Sequence, residues 1–319
     1  MPLRALQQAM LDRVGSTLGE RYRLVELLGF GGMGAVYRAR NIWASRDCAL
    51  KVFHGSEEQD QGMLKRFLRE GHAANRIRKG GRLHPNVIDV LDVGRDRETG
   101  WSFLVVELLS GESLADRLER APGARLALGD VLGWFMPIAD AVATAHMCGV
   151  VHRDIKPENI YLCEEPGAAA FPKLLDFGIS RLTHDRMTAR HEVLGTPDYL
   201  APETFMGSDS ADERSDVWAL GVVLYETLLG EWPFGPRGGR FSDVMRAIAS
   251  ADVETLPGRT RLPSTAWEII RICLQSEPRR RFADGRALLR ALESLASECT
   301  NIDRAAVATV GHTGSAGRS

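Results

Sequence analysis

The sequence predicts an α+β fold with two lobes, a small antiparallel β-sheet lobe carrying one good helix and a larger, mainly helical lobe. Three observations predict it. Short apolar runs of strand length alternate with turn residues up to about residue 109, interrupted by one longer stretch of helical period. After Gly111 the texture changes, and apolar residues recur at three and four. Two polar loops, 151–162 and 173–203, lie between the later helices and hold the densest chemistry.

In order, residues 1–17 read as an N-terminal leader, a short amphipathic helix and a linker. Tyr22–Leu28 is a strand, followed by glycines at 29, 31, 32 and 34, then strands at Ala35–Arg40 and Asp47–Phe53. Met63–Arg78 has a helical pattern that Lys79-Gly80-Gly81 breaks, with Glu57 and Glu58 placed ahead of it. Val87–Val93 and Ser102–Glu107 complete the strands. Helices are expected at Leu114–Leu118, Val131–Cys148, Val217–Leu229, Phe241–Ile248, Ala266–Leu274 and Gly285–Leu295, and Ala168–Ala170 lengthens a hairpin loop. The expected domain runs over 18–297, with its lobes at about 18–109 and 110–297. From 298 to 319 the Ala, Gly, Ser and Thr content reads as a disordered tail.

Size and composition set the bounds. A chain of 319 residues, 44% hydrophobic and 26% charged, can bury a large core. Forty basic against 42 acidic residues give no reason to expect nucleic acid as a partner. The longest notable apolar run, Val217 to Tyr225, is too short for a membrane segment. Cysteines at 48, 148, 163, 273 and 299 have neither Cys-x-x-Cys nor zinc-ligand spacing, and read as reduced thiols of a cytoplasmic protein.

Four segments carry chemistry. Leu28-Gly29-Phe30-Gly31-Gly32-Met33-Gly34 lies between two strands, where missing Cβ atoms let backbone N–H groups approach phosphate oxygens. The plain alternative is a flexible hairpin turn. A dinucleotide-binding loop shares the spacing, but it opens a helix, whereas Ala35-Val36-Tyr37 continues as a strand. Lys51 sits inside the apolar run Ala49-Leu50-Lys51-Val52. Opposite the glycine loop it would reach phosphates, and Glu70 is the carboxylate available to aim it. In His152-Arg153-Asp154-Ile155-Lys156-Pro157-Glu158-Asn159, Asp154 can accept a hydroxyl proton, Lys156 can neutralise a phosphoryl group, and Asn159 can bind a divalent metal. Asp176-Phe177-Gly178 puts a carboxylate at a strand end, before a residue able to swing, as a metal-bridging aspartate requires.

Together and in this order, these segments resemble the eukaryotic-type (Hanks-type) serine/threonine protein kinase family, from about Tyr22 to Leu295. Gly195-Thr196-Pro197-Asp198-Tyr199-Leu200-Ala201-Pro202-Glu203, Ser215-Asp216-Val217-Trp218 and Pro278-Arg279-Arg280-Arg281-Phe282 extend the match. The wording of the glycine loop is similar to bacterial members. The resemblance implies a two-lobed kinase fold, ATP with Mg2+ (or Mn2+) as cofactors, and transfer of the γ-phosphate to Ser/Thr hydroxyls of protein substrates. It makes Lys51 the phosphate-pairing lysine, Glu70 its partner 19 residues on, Asp154 the catalytic base, and Asn159 and Asp176 the metal ligands. Val36 and Ala49 would cover the adenine, Tyr161 would lie beneath it, and the backbone of Glu107 and Leu109 would meet its edge. Val106 would be a small gatekeeper. Glu203 would pair with Arg281, and Asp216 would support the catalytic loop. Thr196 would bond Asp154 and Lys156. Arg153 beside Asp154 implies activation-loop phosphorylation, at Thr188 before Thr183, which a homodimer could perform on itself.

Two features depart from the family. The stretch between Glu70 and His84-Pro85-Asn86 is longer than usual, and counting back from His84 would put Asn75 opposite Lys51. Placing the extra residues at Lys79-Gly80-Gly81 keeps Glu70. Gly71 weakens its helix by about 1 kcal/mol against alanine, which predicts a helix that is mobile or needs a partner to seat. The rival function is a nucleotide-binding pseudokinase acting as a scaffold.

Overall fold

A computed structural model of the chain describes residues 3–31, 34–53, 57–177, 197–206, 212–237 and 241–312. It divides into two compact units, Met1–Leu114 with Met147–Thr196, and Ala115–His146 with Pro197–Ser319. The segment carrying Asp154, Asn159 and Asp176 therefore groups with the sheet.

The first unit begins with α1 (Leu3–Leu11), β1 (Thr17–Leu18), β2 (Tyr22–Gly31), β3 (Gly34–Asn41), β4 (Arg46–Phe53) and α2 (Glu57–Arg76). It continues through β5 (Arg78–Lys79), β6 (Arg82–Leu83), β7 (Val90–Arg95), β8 (Ser102–Val106), β9 (Gly111–Ser113), β10 (Ile160–Cys163) and β11 (Phe171–Leu174). Six strands form one antiparallel sheet in the order β1-β2-β3-β4-β8-β7, and β11-β10-β9 form a second.

Period-two alternation gives the large sheet two different faces. Tyr37, Leu50, Val52, Phe103 and Val105 share a dry cluster with Met10, Leu18 and Tyr22. Val36, Ala49, Lys51, Leu104 and Val106 point the other way, because Val36 pairs with Lys51, Lys51 with Leu104, and Ala49 with Val106. The opening residues include the expected short helix, which packs on this face of the sheet. Met10 is 1% exposed, and Tyr37 Oη donates to its carbonyl at 2.8 Å. A sheet face this apolar needs a cover, and the chain's own start supplies it.

α2 starts at Glu57, earlier than its sequence pattern, so Glu57 and Glu58 lie inside its first turn. Negative charge there suits the helix N-terminus. A Cβ on Gly71 would lie 3.2 Å from Val90 Cγ1 and 3.5 Å from Val93 Cγ2, so the glycine lets α2 approach β7 closely. The extra residues form the β5–β6 hairpin, turned by Gly80 and Gly81 at φ +60° and +81°.

The second unit is built from α3 (Leu114–Arg120), α4 (Leu128–Met147), α5 (Glu213–Leu229), α6 (Phe241–Ser250), α7 (Ser264–Cys273) and α8 (Gly285–His312). α5 is buried from Ser215 to Leu229, which explains why apolar residues surround it. Asp212 caps its start by accepting from Arg214 N, and Gly230 ends it at φ +76°. α8 corrects the disordered-tail expectation as far as His312. The segment Arg304-Ala305-Ala306-Val307-Ala308 holds no proline or glycine, and alanine's high helix propensity extends the preceding helix.

Candidate active site

β2 and β3 pair right up to the glycine turn, with Gly29 opposite Val36 and Gly31 opposite Gly34. Among the described glycines of this turn, only Gly34 is demanded by local packing. At φ +151°, a Cβ there would fall 1.9 Å from the Val52 carbonyl oxygen. At Gly29 and Gly31 an added Cβ would meet nothing within 4 Å. Leu28 is exposed and Phe30 half-buried, while Gly32 and Met33 lie outside the described residues.

Lys51 projects from the half-buried sheet face, and its Nζ lies 2.9 Å from Asp176 Oδ2. Glu70 lies on α2, but its side chain falls outside the described residues. Asn75 is exposed, and its carbonyl accepts from Arg78 Nε.

A continuous bond network joins the next residues. His152 Nδ1 accepts from Asp154 N at 3.2 Å, which leaves Nε2–H to donate to the Leu175 carbonyl at 2.8 Å. Leu175 N donates to the Asn159 carbonyl at 2.9 Å. Asn159 Nδ2 donates to Asp154 O at 2.7 Å and to Oδ2 at 3.0 Å, and Lys156 Nζ lies 3.1 Å from Oδ2. Asp154 is therefore aimed from two sides, two hydrogen bonds from Leu175, the residue preceding Asp176. Arg153 and Asp176 take left-handed backbone, at φ +67° and +58°. Such strain persists where the surroundings over-determine it. Phe177, fully buried, packs on the His152 ring at 4.5 Å between centroids. His152 went unassigned in the sequence reading, although its place beside Arg153-Asp154 was the available signal.

Asp176 and Asn159 supply oxygen donors suited to a hard divalent cation. Because Asn159 commits its amide nitrogen to Asp154, Oδ1 is the atom it could offer a cation. Among the described residues no three His, Cys, Asp or Glu side chains form a metal cluster. A cation held by these two residues would complete its shell with phosphate and water oxygens.

Near the second sheet, Tyr161 Oη donates to the Gly111 carbonyl at 2.8 Å. Glu107 N donates to Asp89 O, and its carboxylate accepts from Asp89 N at 2.8 Å and Lys173 Nζ at 2.6 Å. Leu109 is half-buried. Lys173 was missed, yet it shows the signal that singled out Lys51, a lysine within a largely apolar strand.

In the helical unit Arg281 and Glu203 form a two-point ion pair, Nη1–Oε1 at 2.7 Å and Nη2–Oε2 at 2.8 Å. Asp216 Oδ2 lies 2.9 Å from His146 Nε2, whose Nδ1 accepts from Gly285 N. Thr183, Thr188 and Thr196 lie outside the described residues. No helix among the described residues is long and apolar enough to cross a membrane.

The family model described as "Protein kinase domain" matches residues 22–293. The serine/threonine-protein kinase pkn3 of Myxococcus xanthus is 39% identical over 228 residues, covering 70% of this chain and 40% of that protein. PknA of Mycobacterium tuberculosis is 36% identical over 280 residues, covering 86% and 61%. This chain thus spans less than two thirds of either relative. The crystal structure of the PknI kinase domain of M. tuberculosis is similar at a TM-score of 0.65 and 26% identity, covering 89% of this chain and 98% of that one. A sheet lysine paired with Asp176, a His-Arg-Asp loop bonded to the neighbouring Leu175, and a family match over residues 22–293 place the chain in the protein kinase family, as a bacterial Hanks-type serine/threonine kinase domain.

Proposed function

We propose that the chain transfers the γ-phosphate of ATP, with Mg2+ or Mn2+, to Ser/Thr hydroxyls of protein substrates. The observation that carries this reading is the unbroken chain of contacts Lys51–Asp176, Leu175–Asn159, Asn159–Asp154 and Asp154–Lys156. It supports reading Lys51 as directed to phosphate, Asn159 and Asp176 to a metal, Asp154 as the base and Lys156 as a second cation, on one frame.

Bound at Asn159 Oδ1 and Asp176, the metal would neutralise phosphate charge and hold the triphosphate in line. Lys51 would hold phosphate oxygens, with Glu70 as its second carboxylate partner, and the amides from Gly29 to Gly34 would approach others. Asp154 Oδ2, already fixed by Asn159 and Lys156, would accept the hydroxyl's hydrogen bond and orient its attack. Lys156 would neutralise charge on the group in transit. Leu28, Val36, Ala49, Val106 and the Tyr161 ring would enclose the base, with the backbone of Glu107 and Leu109 at its edge.

We assign Thr196 to the acceptor side of this site, Glu203 with Arg281 to bracing of the helical unit, and Asp216 to support of the catalytic loop. Autophosphorylation is placed at Thr188 before Thr183, within a transient homodimer. A cytoplasmic location fits five free thiols. Burial pushes the Cys48 and Cys163 thiols up to about 11, so both are unreactive at neutral pH.

The test is transfer of labelled γ-phosphate to a generic protein substrate, with and without magnesium, by the wild type and D154A. Magnesium-dependent labelling that vanishes in D154A is expected. Wild-type protein that binds ATP and labels nothing would instead be a pseudokinase. Phosphopeptide mapping after incubation with ATP should find Thr188 modified; phosphate on Thr183 alone would overturn that choice.

A further inference from the structure

The segment from Glu107 to Gly111, between β8 and β9, is held at both ends by one rung of a hairpin. Tyr161 of β10 and Lys173 of β11 are register partners. Paired residues of an antiparallel ladder project to the same side. Tyr161 Oη reaches the Gly111 carbonyl at 2.8 Å, and Lys173 Nζ reaches Glu107 Oε1 at 2.6 Å. The ion pair is largely shielded, with Lys173 and Glu107 side chains 12% and 21% exposed. Water therefore screens it less than a surface pair, and its loss would leave a shielded charge without its counterion.

Neighbouring bonds make this rung a fixed point. Asp89 takes both the amide and the carboxylate of Glu107, so the near end is gripped from three directions. At the far end, a Cβ on Gly111 would fall 2.0 Å from the Leu162 carbonyl, so the segment lies directly against β10. β11 is anchored in turn, because Leu174 N donates to Asn86 O and Ile88 N to Leu174 O. Asn86 Nδ2 also donates to Pro172 O at 2.7 Å. Three residues beyond Lys173 the chain reaches Asp176, which holds Lys51.

We propose that Lys173 is a positioning residue for the nucleotide: with Tyr161 it clasps the Glu107–Gly111 segment and ties the base-recognising backbone to the strand that delivers Asp176. The inference rests on the nucleotide site proposed above. A clasp of this kind acts on the base edge. Releasing it should weaken nucleotide capture and blur the distinction between adenine and guanine, while the phosphate-end chemistry persists.

The experiment measures kcat and KM for ATP and GTP, and the melting temperature, in wild type, K173M, K173R and E107Q. K173M should raise KM for ATP by about tenfold with kcat within about twofold, and should narrow the preference for ATP over GTP. K173R should keep the wild-type KM, because arginine restores the charge. E107Q removes the charge from the other partner and keeps an acceptor for Asp89 N, so it should reproduce the K173M values even if K173M folds poorly. The double variant should be no worse than either single one. Unchanged KM and base preference in K173M and E107Q, with or without a lower melting temperature, would overturn the clasp. Wild-type protein that takes up no ATP would instead sink the function proposed above, a failure read before any variant is made.

Discussion

Two ion pairs, one in each unit, show how similar charges serve different ends. Lys51 Nζ lies 2.9 Å from Asp176 Oδ2, and the two side chains stay 26% and 32% exposed. Arg281 meets Glu203 through two contacts, with the arginine side chain 0% exposed. It also lies over the Trp218 ring at 4.8 Å and donates to the carbonyls of Arg214, Gln275 and Ser276. Ser215 adds a hydrogen bond to Glu203. Every donor of that guanidinium has a use inside the fold, so exchange for an outside ligand would be costly. The lysine is a flexible point charge that water reaches, so phosphate oxygens could replace or join its carboxylate at modest cost. Solvent access, more than charge, separates the pair available for chemistry from the pair fixed in place.

The largest expected effect lies in the site itself. Asp154→Ala should lower phosphate transfer by roughly 1000-fold or more, while ATP affinity by calorimetry stays near wild type; retained turnover would remove Asp154 from its role. Next comes the buried pair. Arg281→Ala should cost about 3–5 kcal/mol in chemical denaturation, because Glu203 is left without its counterion. Lys51→Met should do the opposite, lowering kcat/KM by roughly 100-fold with little change in melting temperature. If Lys51→Met destabilises the protein as much as Arg281→Ala, the contrast between the pairs is broken.

Smaller substitutions sharpen the same contrast between space kept for a ligand and space used by the fold. Gly34→Ala should destabilise by about 1–3 kcal/mol, since its Cβ meets the backbone of β4. Gly29→Ala should leave stability nearly unchanged and raise KM for ATP, because among the described residues nothing lies within 4 Å of the added Cβ. The smallest effect belongs to an exposed pair. Arg246→Ala should stay within about 0.5 kcal/mol, its bond to Asp243 being open to water.

Much of the candidate site was legible because the chemistry proposed for it requires particular residue types in a fixed order. Lys51, Asp154, Asn159 and Asp176 could be selected from the chain without any contact information. The strands of the sheet were legible as short apolar runs between turn residues. Other features depend on what folding brings together. Nothing in residues 1–17 says that Met10 will enter the sheet's core, and the link between Glu107 and Lys173 joins positions 66 apart in the chain. Gly71 reads as a weak point in a helix until Val90 and Val93 are placed against it. The end of α8 was misread from its small residues, whose helix propensity continued an established helix.

Met10 gives the opening helix an importance that its distance from the chemistry would not suggest. It rests on the side of β4 occupied by Leu50 and Val52, and the next side chain along that strand, on the reverse side, is Lys51. Lys51 thus stands on a plank one residue thick, with the opening helix as its underlay. Altering that underlay offers a route to retune the lysine's aim without touching a single group that meets the nucleotide.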